Sequence, residues 1–484
     1  MQFTFIPKLI FTLIALLATA GCAQNPVSGR QEFVAMSETQ EIQIGRQGDT
    51  EVKQEYGAYD MPSLQQYVNQ VGQRLAAKSH RPQLSYHFTV VDSPDINAFA
   101  LPGGYIYITR GIMAYLNSEA ELAAVLGHEI GHVTARHAVQ QYTAATATSV
   151  GVAIGSIFIP ELRTQGAQSL INLLGNTLIS GYGREHELEA DRLGAEYLAR
   201  AGYDPKAMVR VIGVLKNQEL FDAEIARQEG REPRRYHGLF ATHPDNDTRL
   251  QQVVGEADRF VLPAAEEGRT AYLAHINRVI FGDSPEQGIV RNNLFLHEAL
   301  GIALAFPQNW QVLNRPDKLL AQSPNKDGFL ELNVGKQPGI SPTELLRQAL
   351  KLDINSRIES TAINGLPAAI AQGTRQGRPL QVSAVYLRDN AYVLIGSAAS
   401  SEAFNRYQGE MNVAMHSFRT LTAADRKLAK PYVIQTLSAR KGITFEELAR
   451  QSPLKTNAEG YLRLMNNAYP HGEPQPGQTL KVIQ

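Results

Sequence analysis

The apolar positions of this chain change their period several times, and the changes mark its segments. Residues 9–20 are almost wholly apolar, whereas residues 37–79 place Ile42, Ile44, Val52, Leu64, Tyr67, Val68 and Val71 at helical spacing. The second pattern predicts two amphipathic helices. Residues 84–91 alternate as a strand does, and Pro102-Gly103-Gly104 introduces a second strand over 105–109. From Ser118 the pattern turns helical and runs without interruption to about Tyr142; Ser118 with Glu121 three residues on is a capping-box signature that fixes the start. Further helices are expected over 168–179, 184–200 and 246–261. The uncharged stretch 144–160 is short and only modestly hydrophobic, so it reads as a buried helix rather than a membrane hairpin.

Beyond a bridge over about 265–284 the texture changes. Residues 290–420 carry short strands, a helix near 342–352 and a hairpin signal at Asp389-Asn390, which together predict an α+β domain. The final stretch begins with Tyr432-Val433-Ile434, has helical segments at 444–450 and 459–466, and closes on Pro476-Gly477-Gln478-Thr479-Leu480-Lys481-Val482. That is a small βααβ unit. A chain of 484 residues exceeds what one core holds. The expected organisation is a leader over 1–22, a mainly α-helical (α+β) domain with a small edge-exposed sheet over 23–270, an α+β domain over 285–421 and the βααβ module over 428–484.

Composition narrows the partners. Forty-six basic residues against forty-seven acidic ones leave a net charge of −1, and no basic block is present to neutralise a phosphate backbone. Nucleic acid is excluded as the expected partner. Lys8 followed by the apolar run reads as a secretory signal peptide, too short to remain as a membrane span. Cys22 is the single cysteine, so no intramolecular disulfide can form. Thr19-Ala20-Gly21-Cys22 resembles a bacterial lipobox, with Thr19 where leucine is commoner. The resemblance implies that Cys22 is lipidated and the chain cut before it. Ala23 and Gln24 lack the aspartate that usually retains lipoproteins in the inner membrane, so the expected location is the periplasmic side of the outer membrane, held by a lipid anchor.

The chemistry concentrates at Gly127-His128-Glu129-Ile130-Gly131-His132. On a helix the two histidines stand about 40° apart and one turn along, so both imidazoles can bind one Zn²⁺. Glu129 sits beside that face and can act as general base on a water at the metal. Twelve histidines in the chain make a chance H-E-x-x-H roughly a one-in-a-hundred event. Leu122, Val125, Leu126, Ile130 and Val133 surround the three polar residues, and burying those without a metal is costly. A third protein ligand is needed. The segment Arg184-Glu185-His186-Glu187-Leu188-Glu189-Ala190-Asp191 offers it, and composition does not choose among its acids. Glu187 and Asp191 share one face; Glu185 and Glu189 form a competing pair on nearly the opposite one. His137 is rotated by about 180° from His128 and 140° from His132 on a continuous helix, so it is expected to pack or cap rather than join the site. His186 is expected to be solvated or structural.

H-E-x-x-H followed some fifty residues later by E-x-x-x-D resembles the zinc metallopeptidases that include the CAAX prenyl endopeptidases, HtpX and the BepA-type periplasmic proteases. Asn97-Ala98-Phe99-Ala100, Pro102-Gly103-Gly104 and Thr242-His243-Pro244 belong to the same resemblance, which covers roughly 32–259. It implies a zincin-type domain with one Zn²⁺ per chain, Glu187 as third ligand and Asp191 as the group behind a ligating histidine. It leaves His243 either as a switch at the open metal position or as a loop residue placed by Pro244. Arg249 either stabilises the oxyanion or pairs with Asp191. The implied reaction is endopeptidase hydrolysis of unfolded or misassembled envelope proteins, with strand 105–109 as the edge a substrate joins. Two other functions share these motifs: a catalytically quiet assembly factor for outer-membrane proteins, and a peptidoglycan-binding anchor. The last follows from residues 430–484, which are similar to a LysM module but lack its usual G-D-T turn. Residues 302–310, with Phe306-Pro307 before the single Trp310, resemble the α+β fold of PsbP proteins.

Overall fold

The structure is a computed structural model that describes residues 22–34, 36–144, 182–229, 255, 264–314, 319–349, 357–375 and 377–484. The stretches expected at 144–160, 168–179 and 246–261 lie outside the described residues, but for Ala144 and Gly255. The chain forms two compact units: one takes the residues up to Lys53, Gly57–Val279 and Val433–Gln484, and the other takes Gln54–Tyr56 and Ile280–Tyr432.

After a short hairpin of Cys22–Gln24 and Gln31–Phe33, the first unit continues with helices α1 (Glu38–Tyr56) and α2 (Pro62–Ala76). Ser37 and Gln40 form a full capping box on α1, and a proline stands in the first turn of α2. Three strands follow, β1 (His87–Val91), β2 (Ala98–Leu101) and β3 (Tyr105–Thr109), in the spatial order β1-β3-β2. β1 runs parallel to β3 with His87 opposite Tyr105, and β2 runs antiparallel to β3 with Ala98 opposite Ile108. β3 is therefore central and wholly buried, which corrects its expected place at the edge. The reason is legible in its side chains: Tyr-Ile-Tyr-Ile-Thr has no polar face to give to water. The turn before it needs glycine, because Gly103 and Gly104 have φ of 79° and 91° and a Cβ on either would meet backbone of Ile42 or Ser85. The outer side of β1 is closed by Tyr59 N donating to Val90 O and by Gln65, whose amide bonds both backbone groups of Val90.

Helix α3 (Glu119–Thr134) is buried along its length, as its all-round apolar sequence requires. Ser118 Oγ accepts from Glu121 N, but the Glu121 carboxylate accepts from Asn117 N at 2.6 Å instead of closing the box on Ser118. α3 ends at Thr134, Arg136 turns into the left-handed region with φ of 59°, and helical backbone resumes over residues 137–144, so the helix expected to run unbroken to about Tyr142 is interrupted at 135–136. No glycine or proline marks this stop. It is imposed by tertiary partners: Arg136 Nε donates to Glu41 Oε2 at 3.1 Å, Arg136 Nη2 donates to Met36 O, and Arg81 Nη1 bridges Glu41 Oε1 and the Val133 carbonyl.

Helices α4 (Arg184–Ala201), α5 (Lys206–Glu229) and α6 (Arg269–Ile276) complete the surroundings of α3 among the described residues. α3 and α4 touch backbone to backbone. A Cβ on Gly127 would stand 3.4 Å from Gly194 Cα, and one on Gly131 would stand 3.0 Å from Ala190 O. The C-terminal residues fold as β4 (Tyr432–Ser438), α7 (Phe445–Gln451), α8 (Ala458–Met465) and β5 (Thr479–Ile483), with β4 and β5 antiparallel. From Val433 on they belong to the same compact unit as α3. Lys481 is wholly buried and its Nζ donates to the carbonyls of Ala114 and Leu116, at 2.8 and 2.6 Å, just before α3 begins. Phe221 of α5 packs edge-on against Tyr461 and Tyr469.

The second unit holds a seven-stranded antiparallel sheet, a four-stranded antiparallel sheet and the helices Pro342–Ala349 and Ser401–His416. The hairpin expected at Asp389-Asn390 is present one residue earlier, with Leu387 opposite Asn390 and Arg388 left-handed at φ 55°. Trp310 packs against Tyr407, and its Nε1 donates to Glu410. No helix among the described residues is long and apolar enough to cross a membrane.

Because Gly131 faces the backbone of α4, Gly131→Val is expected to force the two helices apart and to lower the unfolding free energy by about 1–3 kcal/mol. Urea denaturation against the wild-type chain measures it; an unchanged midpoint would mean that the contact yields without cost.

Candidate metal centre

α3 ends its last turns with His128, Glu129 and His132, and α4 brings Glu187 and Asp191 to meet them. All five are buried, Glu187 completely. His128 Nε2 and His132 Nε2 lie 3.0 Å apart, and Glu187 reaches both, with Oε2 3.6 Å from His128 Nε2 and Oε1 3.5 Å from His132 Nε2. Donor atoms of these three residues fall within 4.8 Å of one another, the one such group among the described residues.

The other ring nitrogens decide what this cluster can bind. His128 Nδ1 faces Asp191 Oδ1 at 2.8 Å, so its ring proton belongs on Nδ1. His132 Nδ1 lies 2.8 Å from His137 Nδ1, and His137 Nε2 lies 3.2 Å from Glu189 Oε2. Glu189 offers an oxygen acceptor to His137 Nε2. His137 therefore carries its proton on Nε2, and His132 carries its own on Nδ1. Both Nε2 atoms then present lone pairs toward a carboxylate. Such a set repels itself in a buried site and is suited to a divalent cation. Ligands at roughly 2.0–2.1 Å from a tetrahedral Zn²⁺ stand about 3.3 Å apart, and the observed 3.0, 3.5 and 3.6 Å bracket that value. The donor set fits zinc.

Glu129 follows His128 on the same turn and is 1% exposed. Tyr182 stacks on the His132 ring at 4.0 Å and 15°. Burial pushes its phenol above the ordinary tyrosine value, and the charges of Glu129 and Glu187 push it further, so it stays a neutral neighbour of the site. His186 stacks on His137 at 4.3 Å, and burial lowers its pKa to about 4. It is a structural ring rather than a ligand.

The sequence expectations for His128, Glu129, His132, Glu187 and Asp191 meet in one place. His137 does not: it was expected to point away, and the break at Arg136 brings it back to His132. Helical-wheel angles hold only while the helix continues. Tyr182 was not singled out for the site, and Glu189 was weighed only with Glu185 as a competing pair of acids; the turn at Arg136 is what brings His137 to Glu189. His243 and Arg249 lie outside the described residues. So does the side chain of Cys22, whose backbone pairs with Phe33 in a short hairpin.

A buried helix presenting H-E-x-x-H to a carboxylate from a neighbouring helix is the architecture of a metallopeptidase centre. Residues 62–257 match the model of Peptidase family M48, and the chain carries a domain of that family. The chain is 33% identical over 286 residues to the beta-barrel assembly-enhancing protease of Escherichia coli, covering 55% of each. It is 34% identical over 187 residues to the mitochondrial metalloendopeptidase OMA1 of Schizosaccharomyces pombe, covering 38% of this chain and 54% of that one. The chain thus spans about half the length of these curated relatives. Among solved structures, cyanobacterial PsbP from Synechocystis aligns with 28% of this chain and 96% of its own at 12% identity and a TM-score of 0.22, too low to assign a fold.

Adding Zn²⁺ to chelator-treated protein is expected to raise the unfolding free energy, by about 2.7 kcal/mol when free zinc is a hundred times its Kd. Thermal melts with and without zinc read the shift, which should vanish in Glu187→Ala.

Proposed function

We propose that this chain is a zinc-dependent endopeptidase that holds its metal with His128, His132 and Glu187 and uses Glu129 as general base. The observation that carries the reading is the convergence of the two Nε2 atoms and a wholly buried carboxylate beside Glu129. Zinc, when bound, supplies the Lewis acidity that activates a water and polarises a peptide carbonyl. Glu129 takes the proton from the attacking water and returns it to the departing amine. Asp191 holds the His128 ring through Nδ1. His243 is the candidate gate of the open position, and Arg249 the candidate partner of the oxyanion or of Asp191.

The sheet order supports a revised route for the substrate. β3 is enclosed, and the outer strand on the other side is β2. Ala100 and Leu101 of β2, with Pro102, line a recess shared with His132 and Tyr182. An extended polypeptide pairing with β2 would bring its main chain to the metal, a mode that reads backbone more than sequence and suits unfolded or misassembled chains. The leader-like segment ending at Cys22 and the β-barrel assembly named in the E. coli relative support an envelope setting, with Cys22 lipidated and the protein on the periplasmic face of the outer membrane. The βααβ residues at the C-terminus remain the candidate for glycan contact, by their likeness to LysM.

Casein cleavage by the purified chain tests the reading. Glu129→Gln is expected to lose at least a hundredfold in kcat, in line with removal of a general base, while keeping its zinc. Equal cleavage by Glu129→Gln, or a wild-type chain that neither cleaves casein nor contains zinc, overturns the enzyme assignment in favour of a chaperone built on the same fold.

A further inference from the structure

We propose that His137 and Glu189 are positioning residues for His132: they form a hydrogen-bonded relay, His132 Nδ1 to His137 Nδ1 and His137 Nε2 to Glu189, that fixes the ring and tautomer of this ligand. The inference rests on the zinc reading above and extends it to residues that touch neither the metal nor the substrate.

The two ligand histidines are supported unequally. His128 meets a carboxylate directly, with Asp191 Oδ1 2.8 Å from its Nδ1. His132 meets another imidazole at the same distance, and the carboxylate stands one ring further out. Had the relay run the other way, His137 would donate from Nδ1 to His132 and turn a bare Nε2 toward the Glu189 carboxylate, while His132 would carry its proton on the nitrogen that faces Glu187. Both ends would then conflict: one with a repulsive N···O contact, the other with a ligand that cannot bind metal. The carboxylate of Glu189 therefore sets the direction of the whole chain. The rings have little freedom to leave it. His137 is 0% exposed and stacked on His186, and His132 is stacked on Tyr182. The left-handed Arg136, held by Glu41 and the Met36 carbonyl, delivers His137 to this position.

Zinc affinity of the full chain, measured by competition with a chromophoric chelator, and the d–d absorption of the Co²⁺-loaded chain test the proposal without relying on activity. Loss of an outer hydrogen-bond partner weakens metal binding by about 10–100-fold. His137→Leu is expected to fall in that range with an altered Co²⁺ spectrum. Glu189→Ala, at a position still one-third exposed, is expected to fall about tenfold. His137→Asn, whose amide oxygen stands near the Nδ1 site and can accept from His132, should recover most of the loss. Glu185→Ala, exposed on the same helix, should match wild type. Wild-type affinity and spectrum in Glu189→Ala overturn the relay, whether or not His137→Leu folds. An Asn variant as weak as the Leu variant reduces His137 to a packing role. A wild-type chain that binds no zinc brings down the zinc reading itself, and this inference with it.

Discussion

Everything at this centre depends on how closely α3 and α4 approach. Helix axes usually stand 8–10 Å apart, the distance set by the side chains between them. Here two levels of the contact, Gly127 against Gly194 and Gly131 against Ala190, have almost no side chain between the backbones. A glutamate is short, and Glu187 can reach both Nε2 atoms only because α4 sits this near. The same closeness excludes water, so that the five polar residues gathered there are almost fully buried. Burial makes an uncompensated carboxylate expensive and an arriving cation correspondingly favourable. Packing of the smallest residues thus creates a buried, electron-rich cluster suited to a cation.

α3 is in turn held at both ends by groups distant in sequence. Before its start, Lys481 closes the carbonyls of Ala114 and Leu116, and Arg269 links Asn117 O to Thr479 O. Burial lowers the Lys481 pKa well below its ordinary value, opposed by Glu121. At the other end, Arg81 and Arg136 share Glu41 beneath the last turn. Buried ionic groups of this kind are weak evidence for net stability, because desolvation offsets much of their attraction. Their effect here is geometric: they set where the helix starts and stops, and so where His132 and His137 stand. The C-terminal residues take part in that, whatever else they bind.

The residues of α3 were legible because the chemistry and the fold used the same period. H-E-x-x-H needs one helical turn, the apolar positions around it supply the burial, and Ser118 supplies the start. The two N-terminal helices, the strand at 87–91 and the βααβ order near the C-terminus were legible for the same reason, since local pattern and local structure agree. What could not be read was decided by contacts far apart in the chain. The stop at Thr134 comes from Glu41 and Arg81, not from a helix-breaking residue. The central place of β3 depends on which strands flank it, and an apolar pentapeptide says only that it is buried.

The acidic run on α4 shows the same limit at the level of single side chains. Glu185, Glu187, Glu189 and Asp191 are chemically near-equivalent in the sequence, and a helical wheel divides them into two opposed pairs. The structure divides them by neighbour instead. Glu185 is exposed, Glu187 lies between two imidazoles, and Asp191 stands behind His128. Glu189, on the far face by the wheel, still serves the site because His137 comes around the end of α3 to meet it. One turn and a half of helix α4 thus supplies the carboxylate between the two imidazoles, the one behind His128 and the one behind His137. The asymmetry between a carboxylate behind His128 and an imidazole behind His132 follows from where α3 ends, since a helix that continued past Thr134 would carry His137 away and leave Glu189 with nothing to hold.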